Sequence, residues 1–190
     1  MNYKLTRLDG EHIVLVPTGE IGYNKELIEL YKNWLNTDQE VRKGLGDKNT
    51  YNYSDIIGLF DRYIREELHF FIYLKTSEGL KPIGDISVVI RGNDLDSFSS
   101  YYNYGQGVGY FKIMLGEERS KGYGTEAARL FLAYLIDQLG FEKIFSSYYS
   151  DNTASKKMHE RLGFRNLFKK NDEGREEIFS ELTKKKMRKK

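Results

Sequence analysis

The stretch "LGEERSKGYGTEAARLFLAYL", residues 115–135, sets two glycines and two basic residues between the end of an apolar run and the start of an amphipathic helix. The run before it, "VGYFKIML" at 108–115, reads as a strand. "TEAARLFLAYLIDQLG" at 125–140 reads as a helix, because Ala128, Phe131, Leu132, Leu135 and Leu139 share one face and Gly140 stops it. Strand, loop and helix in that order gather consecutive backbone N–H groups at a helix N-terminus, which suits an anion. Gly122 and Gly124 are expected to let those donors approach a phosphate, and Arg119 and Lys121 add positive charge. The plain alternative is an ordinary strand-to-helix turn with a glycine for packing.

Outward from this unit, strands and helices alternate. "HIVLVP" at 12–17 is a strand ending at Pro17, and "NKELIELYKNWLN" at 24–36 is a helix burying Leu27, Leu30, Tyr31 and Trp34. "YSDIIGLFDRYIREE" at 53–67 is a second helix, with Ser54 or Asp55 near its N-cap. "LHFFIYLK" at 68–75 and "KPIGDISVVI" at 81–90 form an antiparallel pair across a "TSEG" turn. The polar run "RGNDLDSFSSYYNYGQG" at 91–107 reads as a long loop of the kind that often carries function. "FEKIFSSYYS" at 141–150 is a strand, "TASKKMHERLGF" at 153–164 a helix with Asn152 near its N-cap, and "EEIFSELT" at 176–183 a last strand. The basic run "KKKMRKK", 184–190, is expected to be a solvated, disordered tail after a single domain over 1–183.

Composition removes several classes of function. A chain of 190 residues fits one domain, and 39% hydrophobic with 14% aromatic residues supply a core. Thirty basic against 28 acidic residues leave too balanced a charge for a duplex-binding surface over the whole protein. With no cysteine there is no disulfide framework, thiolate nucleophile or cysteine zinc cage, and no metal set is read. No apolar run approaches the roughly 18 residues of a membrane span, and the first residues lack a signal peptide's apolar stretch, so the expected location is cytoplasmic.

Two phosphate motifs fail on the opening loop. A P-loop requires Gly-Lys-Ser/Thr, whereas here Lys121 precedes Gly122. "GYGTEA" fits a G-x-G-x-x-A dinucleotide fingerprint, but "GEERSK" separates it from its strand and the unit lies in the second half of the chain. A dinucleotide-binding oxidoreductase is therefore only a runner-up. Arg119, Gly122 and Gly124 stand as R-x-x-G-x-G, which resembles the pyrophosphate loop of the GNAT acyltransferase superfamily. Asn152, Ser155, Gly163 and Phe164 match that family's N-x-x-(S/A)…L-G-F helix, and "NWLNTDQEVRKGL" and "KPIGDISV" look like its RimJ/RimL-like branch. The resemblance covers roughly residues 4–183.

The resemblance implies an α/β (α+β) domain: a mixed, mostly antiparallel twisted sheet of about six or seven strands, helices on both faces, and a splayed central pair. It implies acetyl-CoA as donor, with Ile113, Met114 and Leu115 offering backbone groups to the pantetheine arm. Arg119, Ser120, Lys121, Gly122, Tyr123, Gly124 and Thr125 would hold the pyrophosphate, and Asn152 and Ser155 would contact the arm and its thiol end. His159 occupies the place where many relatives carry a tyrosine proposed to protonate the departing thiolate; Tyr149, Asp85 and Glu126 are further acid–base candidates. Tyr149 is expected to point to the acyl end and Tyr148 away from it. Relatives often carry an acid where this chain has Gly107, so the general base is not fixed by motif. The acceptor would be a primary amine of a protein N-terminus or a small molecule, drawn by Asp94 and Asp96 beside Tyr101, Tyr102 and Tyr104; a homodimer is compatible with the pattern. A non-catalytic module holding coenzyme A or RNA is the other class that fits.

Overall fold

The computed structural model describes residues 3–46, 48–90, 93–102 and 107–187. In chain order the elements are β1 (Leu8–Asp9), β2 (Ile13–Pro17), α1 (Thr18–Ile21), α2 (Lys25–Thr37), α3 (Gln39–Leu45), α4 (Tyr53–Glu66), β3 (Glu67–Thr76) and β4 (Gly79–Val89). A 3-10 helix (Asn93–Tyr101) then leads to β5 (Val108–Leu115) and α5 (Tyr123–Ala133), which continues as a π-helical turn to Gln138. β6 (Lys143–Tyr149), α6 (Thr153–Leu162), β7 (Arg165–Asp172), β8 (Arg175–Thr183) and α7 (Lys184–Met187) complete the chain.

The strands form one eight-stranded sheet in the order β1-β2-β3-β4-β5-β6-β8-β7. Neighbours are antiparallel except β5 and β6. Two strands add to the six segments read as strands in the sequence: β1 is only two residues long, and β7, "RNLFKKND", is an edge strand with largely exposed side chains and hence little apolar alternation. The strand period sorts the core onto two faces. Phe70, Ile72 and Phe111 pack with Phe131 of α5 and Leu162 of α6, whereas Phe71 and Met114 pack with Tyr31 and Trp34 of α2 and Phe60 of α4. Each fully buried phenylalanine contributes roughly 1.5–3 kcal/mol.

Local signals explain most boundaries. Asn52 rather than Ser54 or Asp55 caps α4, in a capping box with the Asp55 side chain. The run expected as a loop at 91–107 contains the 3-10 helix, held down by fully buried Phe98 stacked on Phe145 at 4.3 Å. The expected disordered tail is not seen over Lys184–Met187, because Met187 packs on the core and the Lys184 N–H donates to the Glu142 carbonyl; residues 188–190 lie outside the described ones. Among the described residues, no helix is long and apolar enough to cross a membrane.

Candidate functional site

β5 and β6 run side by side only at Val108↔Lys143, Gly109↔Ile144 and Tyr110↔Phe145. Beyond Tyr110, β5 remains paired with β4 through Ile113, Met114 and Leu115, but its other edge has no strand partner among the described residues. Ser146 Oγ meets the Phe111 carbonyl at 3.1 Å, so a side chain replaces the next ladder bond at the fork. The open edge offers N–H and C=O groups to an extended amide-bearing arm, as a missing strand would.

The cleft ends at the loop 116–122. The amides of Gly116 and Glu117 donate to the Ile83 carbonyl and that of Thr125 to the Gly122 carbonyl. Those of Glu118 to Gly124 have no acceptor among the described residues. Positive φ falls on alternate residues, Glu118 (53°), Ser120 (64°) and Gly122 (93°). This alternation turns successive N–H groups toward one centre, an anion-binding nest at the α5 N-terminus. Of the two glycines only Gly122 takes the unusual φ; at Gly124 a Cβ would lie 3.2 Å from Leu115 Cδ1, tighter than an ordinary contact, so the leucine would have to shift.

The basic residues do not behave as expected. Arg119 donates to the carbonyls of Leu115 (2.7 Å) and Gly116 (2.9 Å) and to Asp38 Oδ2 (2.5 Å), so its guanidinium shapes the loop. Lys121 is exposed and paired with Glu118 at 2.6 Å. Tyr123 packs on the His12 ring at 5.9 Å.

On the opposite lip, Asn152 caps α6 by accepting from the Ser155 amide at 3.0 Å. His159 is buried: Nδ1 lies 2.8 Å from the Ser155 carbonyl and Nε2 2.9 Å from Ser146 Oγ. Burial lowers its pKa to about 4, which disfavours the imidazolium invoked for a direct proton donor. The strand alternation holds, since Tyr148 faces His159 at 4.7 Å and Tyr149 faces the other side. There Tyr149 donates to Asp172 (2.6 Å) under the Arg175 guanidinium, 3.6 Å from its ring. The hydrogen bond to Asp172, with burial, raises its pKa to about 12, so it is committed to a clamp. Glu126 also leaves the acyl end: it accepts from the His12 amide at 2.8 Å and meets His12 Nδ1 at 3.1 Å.

Asp85 is different. On β4 opposite Met114, it is nine-tenths buried; Oδ2 lies 2.9 Å from His69 Nε2 and accepts from Tyr31 at 3.2 Å. His69 Nδ1 meets Thr18 Oγ1 at 2.7 Å, the Tyr63 ring stacks on His69 at 3.8 Å, and the Tyr31 and Tyr63 hydroxyls are 3.0 Å apart. Burial raises the pKa values of both tyrosines, so they act as neutral donors. Asp85 Oδ1 is buried with no hydrogen-bond partner among the described residues. Sequence reading missed His69, Tyr31 and Tyr63. The signal was a polar residue in each of two apolar runs, "LHFFIY" and "PIGDISVV", which the hairpin brings onto one face.

The acidic loop contributes less than expected. Tyr101 stacks on Phe168 and Tyr102 packs on Phe145. Asp96 is exposed. Tyr104 and the side chain of Asp94 lie outside the described residues.

Helix α3 spans the mouth of the cleft. At one end Asp38 caps it through Oδ1 and holds Arg119 through Oδ2. At the other, Arg175 donates to the Lys43 carbonyl (3.0 Å) and Asp151 (2.9 Å), and Lys43 pairs with Asp151 at 3.4 Å. Trp34 covers Gly116, where a Cβ would lie 2.1 Å from the indole.

A split sheet whose open strand edge runs into a backbone nest defines a class of fold that grips a long amide arm ending in phosphates. A family model described as "Acetyltransferase (GNAT) domain" matches residues 23–165, and the chain belongs to that family of acetyltransferases. Solved structures agree on the fold. A GNAT-family acetyltransferase from Bacillus anthracis superposes with a TM-score of 0.71 at 15% identity, covering 95% of this chain and 99% of that one. Spermidine N-acetyltransferase from Vibrio cholerae, solved with CoA and spermine, gives 0.71 at 15% identity over 93% and 98%. The microcin C7 self-immunity acetyltransferase, solved with acetyl-CoA and AMP, gives 0.67 at 19% over 91% and 93%. A search of curated proteins gives no significant match.

Proposed function

We propose that this acetyltransferase takes acetyl-CoA as donor and acetylates a primary amine by direct attack in a ternary complex, with Asp85 receiving the amine's proton. The observation that carries the acceptor half is the unpartnered, buried Oδ1 of Asp85 beside the open strand. A buried carboxylate oxygen without a donor is costly, and an incoming ammonium would satisfy it. Attack then requires a neutral amine. A lysine-like amine is neutral only about once in 2,500 molecules at pH 7, and an α-amine about a tenth of the time. His69 and Tyr31 hold Oδ2, which leaves Oδ1 as the oxygen that takes the proton.

The donor half is supported by the open edge at Ile113, Met114 and Leu115 and the nest at Glu118–Gly122. The motifs "NWLNTDQEVRKGL" and "KPIGDISV" favour a RimJ/RimL-like acceptor range, a protein N-terminus or a small amine. An acceptor-library screen that reads thiol release from acetyl-CoA tests the reading. Release that depends on an amine and is lost in Asp85→Asn supports it; release indifferent to every amine in the library overturns it.

A further inference from the structure

His69 stands in the apolar run "LHFFIY" of β3 and is only 1% exposed. A ring so placed needs a partner at each nitrogen. It has both: Thr18 Oγ1 lies 2.7 Å from Nδ1 and Asp85 Oδ2 lies 2.9 Å from Nε2. Its plane is fixed as well, because the Tyr63 ring stacks on it at 3.8 Å and Phe71 meets it edgewise at 5.4 Å. Turning the ring over would set carbon atoms against both partners. One arrangement of hydrogens then serves every contact. A charged carboxylate only accepts, so Nε2 carries the hydrogen that faces Asp85. Nδ1 of the neutral ring is bare, and the Thr18 hydroxyl donates to it. Thr18 Oγ1 is buried and has no other partner among the described residues, so a hydrogen on Nδ1 would leave the hydroxyl's own hydrogen without an acceptor. From the other side Tyr63 donates to Tyr31 and Tyr31 to Oδ2. Both chains end on Oδ2, and neither reaches Oδ1.

We propose that His69 is a positioning residue for acetyl transfer: as a neutral Nε2–H imidazole fixed by the Thr18 hydroxyl, it holds Asp85 by Oδ2 and leaves Oδ1 free of donors for the amine. The inference rests on the reading of Asp85 as the base. In the reaction the nitrogen of the neutral amine bonds to the acetyl carbon, the C–S bond breaks and the proton lost by nitrogen goes to Oδ1. The thiolate takes a proton from solvent on release, and Asp85 returns its own to solvent. His69 exchanges none. A donor to Oδ2 favours the charged carboxylate over the protonated one, so the ring sets how far toward acid the base stays competent. The other titratable or charged groups around Asp85 are Tyr31 of α2, Tyr63 of α4, Lys112 two residues from Met114 on β5, and the Arg62–Glu67 pair (3.4 Å) beyond Tyr63. All of them are retained when His69 alone is replaced.

Ring 15N resonances of the parent need no acceptor. Through-bond correlations single out His69 among the three histidines of the chain. A hydrogen on Nε2 and a bare Nδ1 at pH 7 are expected; Nδ1–H or a doubly protonated ring overturns the proposal, whether or not any variant folds. Thiol release from acetyl-CoA with the fastest primary amine of the acceptor library is then followed against pH in the parent, Asp85→Asn, His69→Leu, His69→Asn and His69→Gln. No release with any amine, or an Asp85→Asn as fast as the parent, overturns the base reading and this proposal with it. With that reading intact, His69→Leu should move the acidic limb of kcat up by about one to two pH units, the worth of a hydrogen bond to a charged group, and leave KM for acetyl-CoA within about twofold. A glutamine amide places a donor where Nε2 stood, whereas an asparagine amide reaches only the Nδ1 position. His69→Gln should therefore restore the parent's limb, and His69→Asn should follow His69→Leu. Loss of packing alone would lower the melting temperature and leave the limb in place. An unmoved limb in His69→Leu, or a His69→Gln displaced as far as His69→Leu, overturns the proposal while the base reading stands.

Discussion

The two halves of the cleft, donor and acceptor as proposed above, are built by different means. The donor half is one continuous segment, from the open edge of β5 through the nest to the first turn of α5, and its working groups are backbone amides. The acceptor half gathers Thr18, Tyr31, Tyr63, His69 and Asp85 from β4, β3 and three separate helices, and its working groups are side chains in a buried network. Backbone sites tolerate most side-chain changes but not changes of conformation. Side-chain sites behave the opposite way. Mutations should therefore separate the halves by kind of damage as well as by size.

The largest effect should come from Asp85→Asn. The amide keeps the size and the place beside His69 and Tyr31 but cannot take a proton. We expect kcat to fall about 10²–10⁴-fold, the range of a lost general base, with acetyl-CoA affinity within about twofold of the parent. Steady-state kinetics with a saturating amine, beside calorimetry of the donor, check this. A parallel loss of donor affinity would mean that the halves are not independent.

That contrast also explains what could be read from sequence. Gly122 and the Asn152 cap were visible because a left-handed φ and a helix start each demand particular residue types at a fixed local spacing. Glu118 and Ser120 also hold positive φ, yet nothing in their type announces it; the loop imposes it. Arg119 was legible as a charge but not as a clamp, since its partner Asp38 lies 81 residues away. The His69–Asp85 pair needed the β3–β4 register, in which Phe71 faces Asp85 and His69 faces Ser87. β7 escaped because an edge strand with exposed faces carries no apolar period. Sequence thus exposed what local geometry dictates and hid what tertiary register assembles.

A stability experiment probes the lip that carries His159. Its folded pKa of about 4 lies below the ordinary 6.5, so between those values the unfolded chain binds more protons than the folded one. Stability should therefore rise with pH through that window, and it should be lost as pH falls from about 6.5 toward 4. The contribution is on the order of 3 kcal/mol. Urea unfolding of parent and His159→Gln at a series of pH values should show the steeper dependence in the parent. Equal slopes would mean that the ring is protonated in the folded protein.

On the donor side, Gly122→Val forces a β-branched residue to φ near 93° in the nest. Such strain costs about 1–3 kcal/mol, and the loop is expected to relax out of the nest. Acetyl-CoA affinity should fall roughly tenfold to a hundredfold, with kcat at saturating donor much less affected. Gly124→Val acts differently, by pushing on Leu115, and should shift the open strand edge as well. If both variants bind the donor as the parent does, the nest is not the phosphate site.

The smallest effect concerns the bridge between the halves. Asp38→Asn keeps the capping oxygen, since asparagine caps as well as aspartate, but it removes the charge that holds Arg119. Burial works to raise the Asp38 pKa, but the Arg119 hydrogen bond and backbone donors outweigh it and lower it, so the carboxylate is charged at neutral pH. Both partners are partly exposed, and their coupling should be only about 0.2–1 kcal/mol in a double-mutant cycle with Arg119→Ala. Its consequence is better read in dynamics than in stability. Because α3 is anchored to the loop at Asp38 and to the far lip at Lys43, donor binding should slow amide exchange along Gln39–Leu45 in the parent. In Asp38→Asn that protection should shrink while the loop's own protection remains. Undiminished protection of α3 would mean that Trp34 over Gly116, rather than the ion pair, carries the coupling. Gly116→Ala would then be the substitution that breaks it, since the added methyl has no room against the indole.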